Sequence, residues 1–120
     1  MKPLILKQDL ATEFSTTERC YIIESANATN DILSIARARV EPGITTKLHS
    51  VTGTVERYII SEGTGRVEVG DLAPQNVSPG DVVLIPAGVP QKITNTGPVD
   101  LIFYCVCTPP FQQANYRQLE

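Results

Sequence analysis

The 120-residue sequence predicts an all-β fold, either a sandwich or a closed barrel. Three observations support this prediction. Short segments rich in Val, Ile, Thr and Tyr recur along the chain. Clusters of Gly, Pro, Asn and Asp separate these segments. Helical patterns are almost absent, and the single candidate, the tail at 111–119, fits an extended arm equally well.

Seven segments have the composition of strands. In chain order they are 19–24, 32–41, 55–61, 65–69, 82–85, 91–94 and 99–107. Turn residues separate them at 27–30, 42–43, 62–65, 70–71, 78–81, 87–90 and 95–98. No internal repeat, linker or low-complexity tract interrupts this series, so we expect one domain over residues 1–120.

Period-two alternation assigns side chains to the faces of these strands. In segment 32–41, Ala36, Ala38 and Val40 share one face, and we expect them to line an interior. Arg37 and Arg39 lie on the other face, where we expect ion pairs or a subunit contact. The last segment is apolar on both faces, which predicts a strand covered by its own core and by another sheet or a partner chain.

Composition excludes several classes of protein. The net charge of −3 gives no cationic surplus, which argues against nucleic acid or an anionic membrane as the partner. The apolar runs are too short to span a bilayer, and the N-terminus lacks the features of a signal peptide. Three cysteines, Cys20, Cys105 and Cys107, show no scaffold spacing and are expected to be reduced. We therefore expect a cytoplasmic protein.

Two spaced motifs indicate a family. The first, over 43–63, reads Pro42-Gly43, five residues, His49, one residue, Val51, four residues, Glu56, six residues and Gly63. The second, over 80–95, reads Gly80, five residues, Pro86, one residue, Gly88, two residues, Gln91, three residues and Asn95. From about residue 32 to 108 the chain resembles a small single-domain bacterial cupin. The resemblance implies a double-stranded β-helix, a jelly-roll-like barrel with little helix.

The resemblance also implies a candidate metal site. Cupins hold a divalent metal with two histidines and a glutamate of the first motif and a histidine of the second. The matching positions here are His49, Val51, Glu56 and Gln91. With a single histidine, we do not expect the two-histidine iron centre of an oxygenase unless another chain supplies a ligand. What remains, His49, Glu56 and Gln91 with water, implies at most weak binding of Zn²⁺, Ni²⁺ or Mn²⁺, strengthened if a thiolate of Cys105 or Cys107 joins.

The motif residues have alternative interpretations. His49 is a metal ligand or an imidazole hydrogen-bonded to Glu56 or to the backbone. Glu56 is a polar residue at a barrel mouth or a cavity carboxylate with a raised pKa that acts as a general base. Gln91 is a remnant metal ligand or, as we favour, a group that hydrogen-bonds a bound carbonyl or hydroxyl.

Two interpretations are also open for each of three further residues, Tyr58, Cys105 and Cys107. Tyr58, on the Glu56 face, either donates its hydroxyl into the cavity or packs with the hydroxyl at the rim. For Cys105 and Cys107 we favour small, buried apolar side chains over metal ligands.

The sequence thus predicts a barrel that binds an unknown small molecule in its central cavity, with His49, Glu56 and Gln91 as the polar cluster and metal weak or absent. The alternative is a divalent-metal-dependent enzyme with isomerase or lyase chemistry, in which Glu56 is the catalytic candidate. A third possibility is a structural or regulatory dimer without a ligand. We expect a homodimer, because segment 3–6 is rich in strand formers and the last strand is apolar on both faces.

Overall fold

Two antiparallel β-sheets enclose a hydrophobic core. The computed structural model describes residues 2–26 and 30–120. Within these ranges the strands, numbered β1 to β11, are Phe14–Ser15, Tyr21–Glu24, Ser34–Val40, His49–Val51, Val55–Glu62, Gly65–Val69, Gln75–Val77, Val82–Ile85, Gln91–Asn95, Leu101–Thr108 and Tyr116–Gln118. The first sheet has the order β1-β2-β3-β10-β5-β8, and the second has the order β11-β4-β9-β6-β7. The all-β prediction is therefore confirmed.

All seven predicted strands are present, with ends that differ by a few residues. The sequence missed four short strands, β1, β4, β7 and β11, which have two or three residues each. The tail is an arm and not an α-helix, since a single 3₁₀ turn precedes β11, which pairs with β4 along His49–Val51. The predicted turn at 27–30 lies mostly outside the described residues.

Helix is confined, in the part of the chain that the structure describes, to two 3₁₀ turns, Leu10–Thr12 and Gln113–Asn115. Neither turn has the length or the apolar character that crossing a membrane requires.

β10 lies in the middle of the first sheet, paired with β3 on one side and β5 on the other. Its inward side chains Leu101 and Phe103 are buried in the core together with Ala38 and Val40 of β3, as the alternation predicted. On its outer face, Ile102 is buried whereas Tyr104 and Val106 are half-buried. The expected cover over that face is therefore only partial within a single chain.

The two arginines of β3 point outward, as predicted, and both pair with Glu13. Arg39 contacts the Glu13 carboxylate at 2.6 Å and Arg37 contacts it at 3.3 Å. Arg39 also lies 4.2 Å from the centre of the Tyr21 ring, a cation–π contact. These contacts tie the N-terminal segment across β2 to β3.

The motif glycines have backbone angles that other residues rarely adopt. Gly43, Gly63, Gly80 and Gly88 all have φ between +78° and +95°. At Gly63 a side chain is also excluded by space, because a Cβ would lie 2.6 Å from the carbonyl oxygen of Asp100. The turn between β5 and β6 therefore requires glycine on two separate grounds.

Candidate functional site

Four strands bring the predicted polar side chains together. Alternation along β5 directs Glu56 and Tyr58 inward, and both are buried. In the facing sheet, His49 of β4 is the cross-strand partner of Gln91 of β9. Cys107 of β10 lies beside Glu56 in the register of the first sheet. The site is thus held by regular sheet pairing and not by loops.

A chain of hydrogen bonds connects the buried polar groups. The Tyr58 hydroxyl donates to Oε1 of Gln91, and Nε2 of Gln91 donates to Oε1 of Glu56. The Cys107 thiol donates to Oε2 of Glu56 over 3.7 Å. Gln91 is 0% exposed, so each end of its amide needs a partner inside the protein. Tyr58 and Glu56 provide both partners, which fixes the orientation of the amide.

The Glu56 carboxyl is 5% exposed. Burial raises its pKa above the ordinary value of 4.5, whereas the hydrogen bond from Gln91 and the charge of His49 act in the opposite direction. Because desolvation disfavours the charged form, Glu56 keeps its proton to higher pH than an exposed glutamate does. Such a carboxyl has the property required of a general acid or base.

The His49 ring is fixed by Glu18 and Tyr116. Its Nδ1 lies 2.8 Å from the carbonyl oxygen of Lys47 and 3.3 Å from Oε2 of Glu18. The Tyr116 ring stacks on the imidazole, with ring centres 5.2 Å apart, and its hydroxyl donates to the same Glu18 oxygen over 3.3 Å. Two acceptors at Nδ1 favour a proton on that nitrogen, which leaves Nε2 for other interactions.

The two thiols of β10 do not readily lose their protons to form thiolates. Burial, and then the charge of Glu56, raises the pKa of Cys107 to about 12, and the same two causes raise the pKa of Cys105. Zinc binding and nucleophilic attack both need the thiolate form. Cys105 and Cys107 therefore act as small neutral side chains at neutral pH, in line with the favoured interpretation.

Two cavities meet at Glu56. The larger, of about 400 Å³, lies between the inner face of the first sheet and the two segments 14–18 and 111–116. The smaller, of about 50 Å³, extends into the barrel beside His49 and Tyr58. Glu56 and Cys105 line both cavities, and Cys107 lines only the larger one. Gln91 lines neither, because its amide is used in contacts within the protein.

The open space differs from the central cavity that the sequence predicted. Tyr58, Ile60 and Phe103 fill much of the barrel centre, where the rings of Tyr58 and Phe103 lie 4.5 Å apart. The larger cavity opens to one side, over the row of small residues in β3 and β10. Its other wall comes from segments 14–18 and 111–116, which lie outside the two motifs.

Sequence reasoning missed Glu18, Phe14, Phe111 and Tyr116, which line the larger cavity. Three of them lie in very short elements or loops without periodicity, and Tyr116 lies in the tail of ambiguous structure. The only available signal was the aromatic content of a tail that begins with Pro109-Pro110.

Comparison with known proteins establishes the family. The family model described as "Cupin domain" matches residues 36–107, more than half of the chain. The chain belongs to the cupin family. The resemblance carried by the two motifs is thus confirmed, and the paired sheets are the double-stranded β-helix of a cupin.

Solved cupin structures share this fold at low sequence identity. A conserved protein with a double-stranded beta-helix domain from Klebsiella pneumoniae is 17% identical, with a TM-score of 0.73 and 92% of each chain covered. A predicted oxalate decarboxylase from Thermotoga maritima is 23% identical, with a TM-score of 0.78 and coverage of 88% of this chain and 99% of that one.

Pac13, a nucleoside dehydratase of Streptomyces, is 11% identical to this cupin. The TM-score is 0.78, with 98% of this chain and 92% of that one covered. No curated protein matches the sequence. Identities this low show the fold alone.

The divalent metal that the cupin motifs imply does not fit the side chains of this cupin. Val51 places a buried apolar side chain at the second histidine position. Gln91 directs Nε2 toward Glu56, and its oxygen, the atom that would bind a metal, already accepts the Tyr58 hydroxyl. Among residues 2–26 and 30–120, no group of three His, Cys, Asp or Glu side chains is placed to hold a metal ion.

Proposed function

We propose that this cupin binds a small organic molecule in the larger cavity, which borders Glu56, without a resident metal. The observation that carries the proposal is the cavity of about 400 Å³ that ends at a buried carboxyl. Ligand sites are usually clefts of about 300–1,000 Å³ with apolar walls and a few convergent polar groups. The cytosol remains its proposed location, which three free cysteines support.

The shape of the cavity supports this proposal. Its floor is the row Ser34, Ala36, Cys105 and Cys107 on β3 and β10, whose small side chains leave space above the sheet. Its other walls include the apolar side chains of Phe14, Ile22 and Phe111. Burying the apolar part of a ligand against such walls stabilises the complex by about 25 cal/mol per Å² removed from water, before the costs of association.

A thermal-shift screen of small acids, bases, sugars and phenolics, followed by calorimetry, tests this function. Ala36→Leu places a larger side chain on the cavity floor, so we expect it to abolish the shift given by any compound that binds there. Ala73→Leu, the same change in an exposed turn, is the matched control and should leave the shift intact. Ligand binding that is unchanged in Ala36→Leu would place the site elsewhere.

A second candidate function, metal-independent acid–base catalysis of the isomerase or lyase type, is favoured by the raised pKa of Glu56. A dehydratase with the same fold shows that the barrel can carry elimination chemistry. The test is incubation of a bound compound in D₂O with NMR detection. Exchange or loss of a ligand C–H signal with the parent protein but not with Glu56→Gln supports catalysis, and equal spectra with both proteins exclude it for that compound.

A further inference from the structure

The larger cavity combines aromatic walls with carboxylates at its edges. Phe14, Phe111 and Tyr116 supply the rings, and Glu18, Glu24 and Glu56 supply the carboxyls. None of the described residues that line this cavity is Lys, Arg or His. From this combination we propose that the ligand is an organic cation, an amine with an apolar body. This inference rests on the proposed function and specifies the class of ligand.

Sheet register separates the carboxylates to different sides of the cavity. Glu24 pairs with Ala36, and Ala36 pairs with Cys105, so Glu24 stands at the β2 end of the floor. Glu56 pairs with Cys107 and stands at the β5 end. With strands about 4.8 Å apart, three strand spacings place the two backbone positions about 14 Å apart across the sheet, and they are also offset by two residues along it. An amine on the floor therefore meets a carboxyl toward either end.

Glu18 contributes from the opposite wall, through the loop between β1 and β2. Its Oε2 already accepts the Tyr116 hydroxyl and faces Nδ1 of His49, which fixes the carboxylate at the cavity wall. A preoriented carboxylate loses little side-chain entropy when a cation arrives. Glu18 and Tyr116 thus place an oriented carboxylate beside an aromatic ring at this wall.

Of the basic side chains near this region, the two arginines lie on the outer face of the sheet and the histidine contacts Glu18 from outside the larger cavity. Arg37 and Arg39 pair with Glu13 on the outer face of the sheet. His49 lines only the smaller cavity, with its Nδ1 directed at Lys47 and Glu18. A bound carboxylate or phosphate would therefore approach like charges without a cationic partner, an arrangement that disfavours binding.

Aromatic rings and carboxylates attract ammonium groups by separate means. The negative faces of Phe and Tyr rings attract a cation within about 6 Å, and this attraction strengthens as water is excluded. A carboxylate accepts charge-assisted hydrogen bonds from a primary ammonium. Both contributions are absent for a neutral ligand of the same shape, so they provide selectivity as well as affinity.

Calorimetry with three phenyl compounds tests the inference. The probes are 2-phenylethylamine, which is a cation at pH 7, neutral 2-phenylethanol and anionic 3-phenylpropanoate. We expect the amine to bind about tenfold more tightly than the alcohol, and the anion not to bind. Glu18→Gln and Glu24→Gln should each weaken the amine several-fold and leave the alcohol unchanged. Glu62→Gln, an exposed change at the end of β5, is the matched control.

The outcomes separate this inference from the proposed function. If the alcohol or the anion binds as tightly as the amine, and Ala36→Leu abolishes that binding, the cation inference is wrong and the cavity function stands. If none of the three binds while a neutral or anionic compound from the screen does, the cation inference is again wrong. If no compound of any charge binds, the proposed function fails together with it.

Discussion

Glu56 shows how strongly a single residue depends on its surroundings. Its inward direction follows from alternation with Tyr58 and Ile60, which the sequence displays. Its partners do not follow from the sequence, because the Gln91 amide can in principle direct either its oxygen or its nitrogen toward Glu56. In the fold, the amide nitrogen donates to Glu56 and the amide oxygen accepts from Tyr58, and the meeting of these residues with Gln91 depends on how the two sheets face each other.

At this scale the pKa of Glu56 predicts a pH dependence of stability. Burial raises the folded-state pKa above 4.5. Just above pH 4.5 the folded protein keeps a proton that the unfolded chain releases. Stability from this group is therefore complete below 4.5 and falls as pH rises toward the folded-state pKa, by about 1.4 kcal/mol per pH unit for a full proton. Glu56→Gln keeps an acceptor for Gln91 but cannot titrate.

Urea unfolding of the parent and Glu56→Gln proteins across this pH range is the measurement. We expect the difference in unfolding free energy to change with pH in favour of the variant as pH rises. If plots of unfolding free energy against pH stay parallel for the two proteins, they would contradict the raised pKa of Glu56. Glu18→Gln is a second comparison: the charge of Glu18 also raises the pKa of Glu56, so its removal should weaken the pH dependence. The titratable groups facing Glu56 are Glu18, His49, Tyr58, Cys105 and Cys107.

The Tyr58 hydroxyl carries a separate prediction. Tyr58→Phe removes the donor to Gln91 Oε1 and leaves that oxygen buried without its partner. We expect a loss of about 1–3 kcal/mol in the free energy of unfolding, measured by chemical denaturation. Tyr104→Phe, on the outer half-buried face of β10, is the control and should lose less than about 0.5 kcal/mol. Equal losses in the two variants would contradict the hydrogen-bond chain.

At the scale of elements, the predictable strands are those with long alternation between turn residues. β5 and β10 have eight residues each and are apparent in the sequence. β4 and β11 have three residues each, too few for a period to be visible, and they exist because they pair with each other. The tail therefore becomes a strand through tertiary pairing, and this pairing places Tyr116 on His49.

Removal of residues 116–120 tests the role of β11. The deletion exposes the edge of β4 and removes the ring stacked on His49. We expect faster hydrogen exchange of the amides at 49–51, together with weaker ligand binding in the larger cavity. Amides of β8, at the edge of the other sheet, provide the internal control and should be unaffected. Unchanged exchange in β4 would show that β11 does not stabilise this edge.

At the scale of the whole molecule, the homodimer stays a prediction that the surface supports. Leu4, Ile5 and Leu6 are 68%, 80% and 49% exposed and lie outside any helix or strand. Val82 and Leu84 of the edge strand β8 are also exposed. Neighbouring exposed apolar residues are typical of an interface, and an edge strand can pair with a second chain.

Light scattering at micromolar concentration tests this association. We expect twice the monomer mass for the parent protein and the monomer mass for an Ile5→Lys variant, because a charge in the arm opposes burial. Lys2→Glu, a change of charge next to the arm, is the control and should remain dimeric. A monomeric parent protein would contradict the prediction.

As a whole, this cupin combines a complete barrel with a polar cluster whose members hydrogen-bond one another. Its larger cavity lies to one side of the barrel centre. The central proposal for this cupin is that it binds a ligand without a metal. Calorimetry on protein dialysed against EDTA and verified as metal-free by elemental analysis tests it directly, using the compound that binds best in the screen. We predict that affinity is unchanged by the dialysis and unaffected by added Zn²⁺, Ni²⁺ or Mn²⁺. Loss of binding on dialysis, restored by one equivalent of such an ion, would contradict the claim.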